Sequence, residues 1–129
     1  MIEALILLLV LLQIKHWYID FVDQSNEEVI SKGIYGDFNG IMHSAKQGFG
    51  TLLSVVIVIL AFNGDIHSAE LFFAVCLGLL DFAVHYNVDW LKMNYGNRDI
   101  KTPAFWAHLG LDQMAHSWTY LIIGYLLVA

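Results

Sequence analysis

The segment from about Ser68 to Trp90 is apolar and long enough to cross a bilayer, yet it carries Asp81, His85 and Asp89. A helical span needs roughly 20 residues, and no other regular element of that length keeps its backbone satisfied in lipid. Positions four apart stack on one face of a helix, so the three ionisable residues form a single polar stripe on an otherwise apolar rod. Lipid cannot solvate that stripe. It must turn toward protein, water or an ion, which makes it a functional-site hypothesis in its own right.

Composition supports the membrane reading, because 58% of the residues are hydrophobic and only 14% are charged, more apolar than a soluble domain. Cys76 is the single cysteine, so no internal disulfide and no CxxC-type zinc motif exists. A net charge of −6 argues against nucleic acid as a partner, since that polyanion selects basic surfaces.

The pattern predicts an all-α fold, a four-helix transmembrane bundle forming one domain, with spans at about 2–22, 40–62, 68–90 and 103–128. The opening run Ala4 to Leu12 resembles a signal peptide in length, but Glu3 stands in place of a positive start and no small-residue cleavage site follows. A retained first span is therefore expected. Thr102 followed by Pro103 predicts a sharp start for the last helix. In the polar connection 23–39, Ser25 with Glu28 reads as a capping box and Gly33 as the stop of a short interfacial helix. Residues 92–101 read as a polar loop, and Gly48, Gly50, Gly78, Gly110 and Gly124 as close-packing points between helices.

All the basic residues, Lys15, Lys32, Lys46, Lys92, Arg98 and Lys101, fall toward one side of this arrangement. Basic residues are retained in the cytoplasm, so both termini are expected on the non-cytoplasmic side of what reads as a bacterial inner membrane. An even number of spans requires the termini to share a side, which agrees.

Polar stripes recur on the other spans. His16, Asp20 and Gln24 lie at four-residue steps on the first, and His108, Asp112 and His116 on the fourth. Measured from the outer ends, His16 is about fifteen residues in, His85 about seventeen and His116 about thirteen, so all three lie roughly 20 to 25 Å down at 1.5 Å per residue. The fourth helix runs its Asp and His in reverse order, as its opposite direction requires of a shared site. The second span adds His43 and Lys46. A polar site in the cytoplasmic leaflet is the expectation.

Imidazoles and carboxylates together suit divalent metals, and helix bundles build such sites from pairs three or four residues apart. The ligand candidates are His16, Asp20, His43, His85, Asp89, Asp112 and His116, more than one structural zinc uses. The surplus points either to two metals or to one metal with Asp20 or Asp112 left as general base. Zinc is favoured, with manganese and iron as alternatives. Gln24, Lys32, Lys46, Asp81 and Gln113 are expected around the ligands or the substrate, the lysines to neutralise an anionic, membrane-associated ester or phosphate, and Asp81 to orient His85. Two other readings stay open, a purely structural hydrogen-bond network and a proton or ion path through Asp81. His67 and His108 read as solvated or interfacial. Four short helices could need a second copy to bury so polar a pocket, so a homodimer is a further expectation.

The succession His16-x-x-x-Asp20-Phe21-x-x-Gln24, Lys32, His43, His85-x-x-x-Asp89-Trp90-Leu91-Lys92 and Leu111-Asp112-Gln113-x-x-His116 resembles a domain-of-unknown-function family of small integral-membrane proteins from bacteria and their phages. It is also distantly similar to the membrane-bound metal-dependent hydrolases. The resemblance spans about His16 to Tyr120 and implies a four-span protein whose motif residues form its site; it supplies no reaction. Asn87, Ser44 and Lys46 depart from that pattern, where the family tends to be apolar. If the protein is an enzyme, hydrolysis is the expected class. The alternative is a phage-type membrane effector, holin-like or acting in superinfection exclusion.

Overall fold

The computed structural model describes residues 1–129 and is helical throughout, without strands. Helix α1 (Ile2–Trp17) contains no charged residue between Glu3 and Lys15. It continues directly into a π-helical turn at Tyr18–Val22, closed by the bond from Asp23 N–H to the Tyr18 carbonyl at 2.8 Å. Helix α2 (Asn26–Ser31) starts where the capping box predicts. Ser25 Oγ accepts from the Glu28 amide at 3.2 Å and Glu28 Oε2 accepts from the Ser25 amide at 2.9 Å. Burial works against the Glu28 charge, but Lys46 and the Ser25 amide outweigh it and hold this carboxyl below the usual range.

Helix α3 (Phe38–Asn63) begins at Asp37, whose side chain accepts from the Asn39 amide, and ends at Gly64 in the left-handed conformation with φ 84°. Helix α4 (Ser68–Tyr95) runs five residues past the expected end at Trp90, because nothing before Gly96 breaks it. Lys92 is thereby placed on the helix and not in the loop. Helix α5 (Pro103–Val128) is capped by Thr102 Oγ1, which accepts from the Phe105 amide at 3.3 Å.

The four long helices close a ring: α1 packs on α3 and α5, α4 packs on α3 and α5, and the diagonal pairs face each other across the interior. Three of them, α1 with its π turn, α3 and α4, are long and apolar enough to cross a membrane. Helix α5 is equally long but falls short in hydropathy, since Asp112, Gln113, His116, Ser117 and Thr119 dilute its apolar residues. Large apolar side chains cover the outside, among them Ile6, Val10, Phe49, Ile57, Phe72, Leu79, Leu121 and Ile122. An apolar surface this continuous is far beyond that of a soluble monomer.

The interior has two levels. Leu8, Leu12, Val55, Val58, Ile59, Ala74, Leu77, Tyr120 and Ile123 fill the half nearer the termini. The other half is polar, with His16, Asp20, His43, Gln47, His85, Asp89, Asp112 and His116 all buried. One chain suffices to enclose them, as His43 and His85 are 0% exposed. The burial argument for a second copy thus falls away.

Helices α3 and α4 meet at Gly48 and Gly78. A Cβ at Gly48 would lie 2.6 Å from the Gly78 carbonyl oxygen and 2.9 Å from Phe82 Cβ, closer than atoms can pack. Gly110, expected as another contact point, instead has open space where a Cβ would stand. Gly48→Val is therefore expected to push the two helices apart and cost on the order of 1–3 kcal/mol as overpacking does. Gly110→Ala is expected to be neutral or to gain up to about 1 kcal/mol in helix propensity. Detergent-titrated unfolding of the two variants beside wild type measures the difference.

Candidate metal centre

The polar half of the interior is assembled from the four long helices and the π turn by the four-residue spacing seen in the sequence. His16 comes from the last turn of α1 and Asp20 from the π turn, a rare backbone form often found at functional sites. His43 projects from α3, His85 and Asp89 from α4, and Asp112 and His116 from α5. The four imidazoles converge, with ring centroids 4.2 Å apart for His85 and His116, 4.8 Å for His16 and His116, and 5.3 Å for His43 and His85.

At the middle of the cluster, His43 Nε2 and His85 Nε2 face one another at 3.2 Å. Asp20 Oδ1 lies 2.9 Å from the first and 3.4 Å from the second. Asp89 Oδ2 lies 3.2 Å from His85 Nε2 and 3.6 Å from His43 Nε2. Ligand atoms about 2.0–2.2 Å from one ion stand roughly 2.9–3.5 Å from each other at octahedral or tetrahedral angles, a range that covers these separations except the one of 3.6 Å and that hydrogen bonds share. Beside it, His116 Nε2 lies 3.4 Å from Asp112 Oδ1 and 3.7 Å from Asp89 Oδ1.

Two overlapping groups, His16 with His85 and His116, and Asp20 with His85, Asp89 and His116, are compact enough to hold a metal ion. The donor set fits one. His116 Nε2, both oxygens of Asp89 and Asp112 Oδ1 are buried without any hydrogen bond, although Lys32 Nζ lies within 2.8 Å of Asp89 Oδ2. Buried polar atoms are rarely left so.

His16 differs from the other three. Its Nδ1 lies 2.8 Å from the Tyr120 hydroxyl and its Nε2 3.1 Å from Gln113 Oε1. The amide oxygen can only accept, so Nε2 carries the proton and Tyr120 donates to Nδ1. Both nitrogens are satisfied, which makes His16 a wall of the centre more than a donor to it.

Comparison with protein-family models, curated proteins and solved structures finds no match to this chain.

Two lysines enter the centre. Lys32 Nζ lies 2.8 Å from Asp89 Oδ2 and 3.9 Å from Asp20 Oδ1, and Lys92 Nζ lies 2.8 Å from Asp112 Oδ2 and 3.8 Å from Asp89 Oδ1. Lys32 is held there by the turn after α2, where Ser31 Oγ donates to Asp37 and accepts from the Gly40 amide at 2.8 Å. Gln113 Nε2 donates to Asp112 Oδ2 at 3.0 Å.

Toward the apolar half, a second cluster adjoins the first. Lys15 Nζ lies 2.5 Å from Asp81 Oδ2, which also accepts from Thr51 Oγ1 at 2.6 Å. Gln47 joins the clusters, accepting from Lys15 at 2.8 Å and donating to Asp20 Oδ1 at 2.9 Å. Asp81 thus neutralises Lys15; it does not orient His85, whose Nδ1 has no partner.

The remaining residues singled out in the sequence lie at the edge or outside. Gln24, in the connection after the π turn, donates through Nε2 to the carbonyl of Asp20, and its buried Oε1 is unpartnered. Lys46 pairs with Glu28 at 2.6 Å and Asp23 at 3.0 Å on the surface, away from the centre. His108 Nδ1 accepts from the Asn97 amide and His67 is exposed beside Asp65. Gln47, Thr51 and Tyr120 were not foreseen, though the signal was present: His43, Gln47 and Thr51, like Asp112, His116 and Tyr120, are each four residues apart.

Proposed function

We propose that the chain is a four-span integral membrane protein that binds one divalent metal ion in its polar half, with His43, His85, Asp20 and Asp89 as ligands and His116 beside them. The observation that carries this is the convergence of two imidazole Nε2 atoms and two carboxylate oxygens at ligand spacing. The charges favour one ion over two. Asp20, Asp89 and Asp112 against Lys32 and Lys92 leave one negative charge with neutral histidines, so one divalent ion brings the centre to one positive charge, which a single anion balances. Two ions would leave three positive charges in a medium that tolerates none unpaired. Zinc fits the nitrogen and oxygen donors best, with manganese or iron as the alternatives.

Helix α5 completes the four spans in this reading, its polar residues turned inward, with both termini on the non-cytoplasmic side of a bacterial inner membrane. In this reading the chain is also one of the small bacterial and phage membrane proteins whose motif order it resembles. As an enzyme it would hydrolyse a membrane-associated ester or phosphate: water adds to the carbonyl carbon or phosphorus, its proton passes to a carboxylate, and the alcohol leaves carrying a proton back. A bound ion would supply Lewis acidity there. Asp112, with one oxygen unpartnered and outside the ligand set, suits the proton acceptor better than Asp20, whose Oδ1 already contacts His43 and Gln47.

One observation favours the alternative, an effector in which the network only fixes the bundle. Lys32 and Lys92 already pair with Asp89 and Asp112. The ion-path reading has less support, since the polar chain ends at Asp81 and Thr51 and Leu8, Leu12, Val55 and Ile123 fill the half beyond.

Elemental analysis of detergent-purified protein separates the first two. Wild type is expected to carry one equivalent of metal per chain, and His85→Ala with Asp89→Ala none. A metal-free wild type that stays so after zinc or manganese is added back leaves the structural network as the function of the cluster.

A further inference from the structure

Beside the centre, a cavity of about 370 Å³ opens at the end of the bundle among the π turn, α2, the C-terminal end of α4 and the start of α5. Its walls divide by chemistry. Asp20, Lys32, Lys92 and Gln113 lie where it meets the centre, and Phe21, Val29, Met93, Phe105 and Leu109 form an apolar lining. Arg98 lies on the remaining wall with Gln24, Asn97 and His108. The chain as a whole carries −6, yet in this cavity Arg98 stands unpaired beside Lys32 and Lys92, whose charges Asp89 and Asp112 already balance, so a divalent ion in the adjoining centre leaves centre and cavity together with two positive charges. Such a local inversion of sign selects anions.

We propose that the cavity receives the phosphate headgroup of a membrane amphiphile, placed between Arg98 and Lys92, with the first carbons of its chain along Phe105, Leu109 and Phe21. The inference deepens the metal-centre reading and rests on it for the claim that the bound molecule is a substrate.

Three features argue for this occupant. With one divalent ion in the centre and Arg98 at the cavity, the two positive charges match a phosphate monoester, and guanidinium with ammonium is the usual pairing for phosphate oxygens. The volume is at the small end of ligand cavities, enough for a headgroup and a few carbons but not a lipid, so the chain must leave toward the bilayer. Phe21, half of whose surface is open at 56%, stands where it would leave.

Native mass spectrometry from a nonionic detergent reads bound amphiphile and bound metal on the same particle, so the two claims fail separately. The probes are dodecyl phosphate, dodecanoate, dodecan-1-ol and inorganic phosphate. Dodecyl phosphate is expected to bind about tenfold or more tightly than each of the others, a difference of one charge-assisted contact. Arg98→Gln is expected to weaken it by about tenfold while keeping the metal complement of wild type. Phe105→Gln is expected to weaken dodecyl phosphate and leave inorganic phosphate unchanged.

Equal binding of inorganic phosphate would make this a free-anion site and overturn the amphiphile; equal binding of dodecanoate would overturn phosphate selectivity. No effect of Arg98→Gln would place the amphiphile on the outer belt and overturn the cavity. Arg98-dependent binding to protein that holds no metal would sustain the cavity and remove the metal centre.

Discussion

Lys15→Met is expected to destabilise the bundle by about 3–5 kcal/mol, as loss of one partner does in a buried ion pair. Lys15 has 10% of its side chain exposed and Asp81 none, and their 2.5 Å contact leaves Asp81 Oδ1 with no hydrogen-bond partner. Without the ammonium, Thr51 alone would face a carboxylate at the boundary with the apolar half. The penalty comes from the charge left behind, so the double variant Lys15→Met with Asp81→Leu is expected to recover most of the loss. Unfolding midpoints for the two single variants and the double in a denaturing-detergent titration test it. Equal stability of Lys15→Met and wild type would show that Lys15 reaches the headgroup region and leaves Asp81 uncharged. The same series bears on the metal centre, because Gln47 is held by Lys15 on one side and holds Asp20 on the other.

The lysines mark where sequence reasoning stops. Four-residue spacing was enough to bring His16 with Asp20, His85 with Asp89 and Asp112 with His116 to one level, since a straight helix converts spacing into direction. The cap at Ser25 was legible for a similar reason, its partner Glu28 being three residues away. A lysine near the end of a span carries no such information. Its stem can reach outward to water or inward to a carboxylate, and the outward course is the default. Here Lys15, Lys32 and Lys92 turn inward, drawn by four buried aspartates that only the assembled bundle brings together.

That inward turn also changes the orientation argument. Of the six basic residues counted toward one side, Lys46 is paired with Glu28 and three are interior counter-ions. Arg98 and Lys101 remain as free charges of the kind that fixes topology. Helix contacts divide in the same way. Gly48 and Gly78 meet because α3 and α4 run closely antiparallel after a short turn, whereas nothing local distinguishes Gly110, which faces no neighbour.

Within the centre, Asp112→Asn and Asp20→Asn are expected to part company. Asparagine at 112 can still accept from Lys92 through its amide oxygen, so the bundle and the bound metal should survive. What it lacks is a site for a proton, and removing a positioned base lowers a rate by roughly 10²–10⁴. Asparagine at 20 is expected to have the opposite consequence, since Asp20 Oδ1 sits between His43 Nε2, His85 Nε2 and Gln47 Nε2 as one corner of the proposed ligand set. That variant should lose the metal, and activity with it. Metal per chain and phosphate released from dodecyl phosphate, measured on both variants, give the comparison. If Asp112→Asn loses its metal, Asp112 is a ligand and the base must be sought elsewhere; if it keeps both metal and full activity, no base stands at that position. Wild type that binds metal and releases no phosphate from any ester offered would leave the ion a structural part of a membrane effector, with Lys32 and Lys92 balancing Asp89 and Asp112.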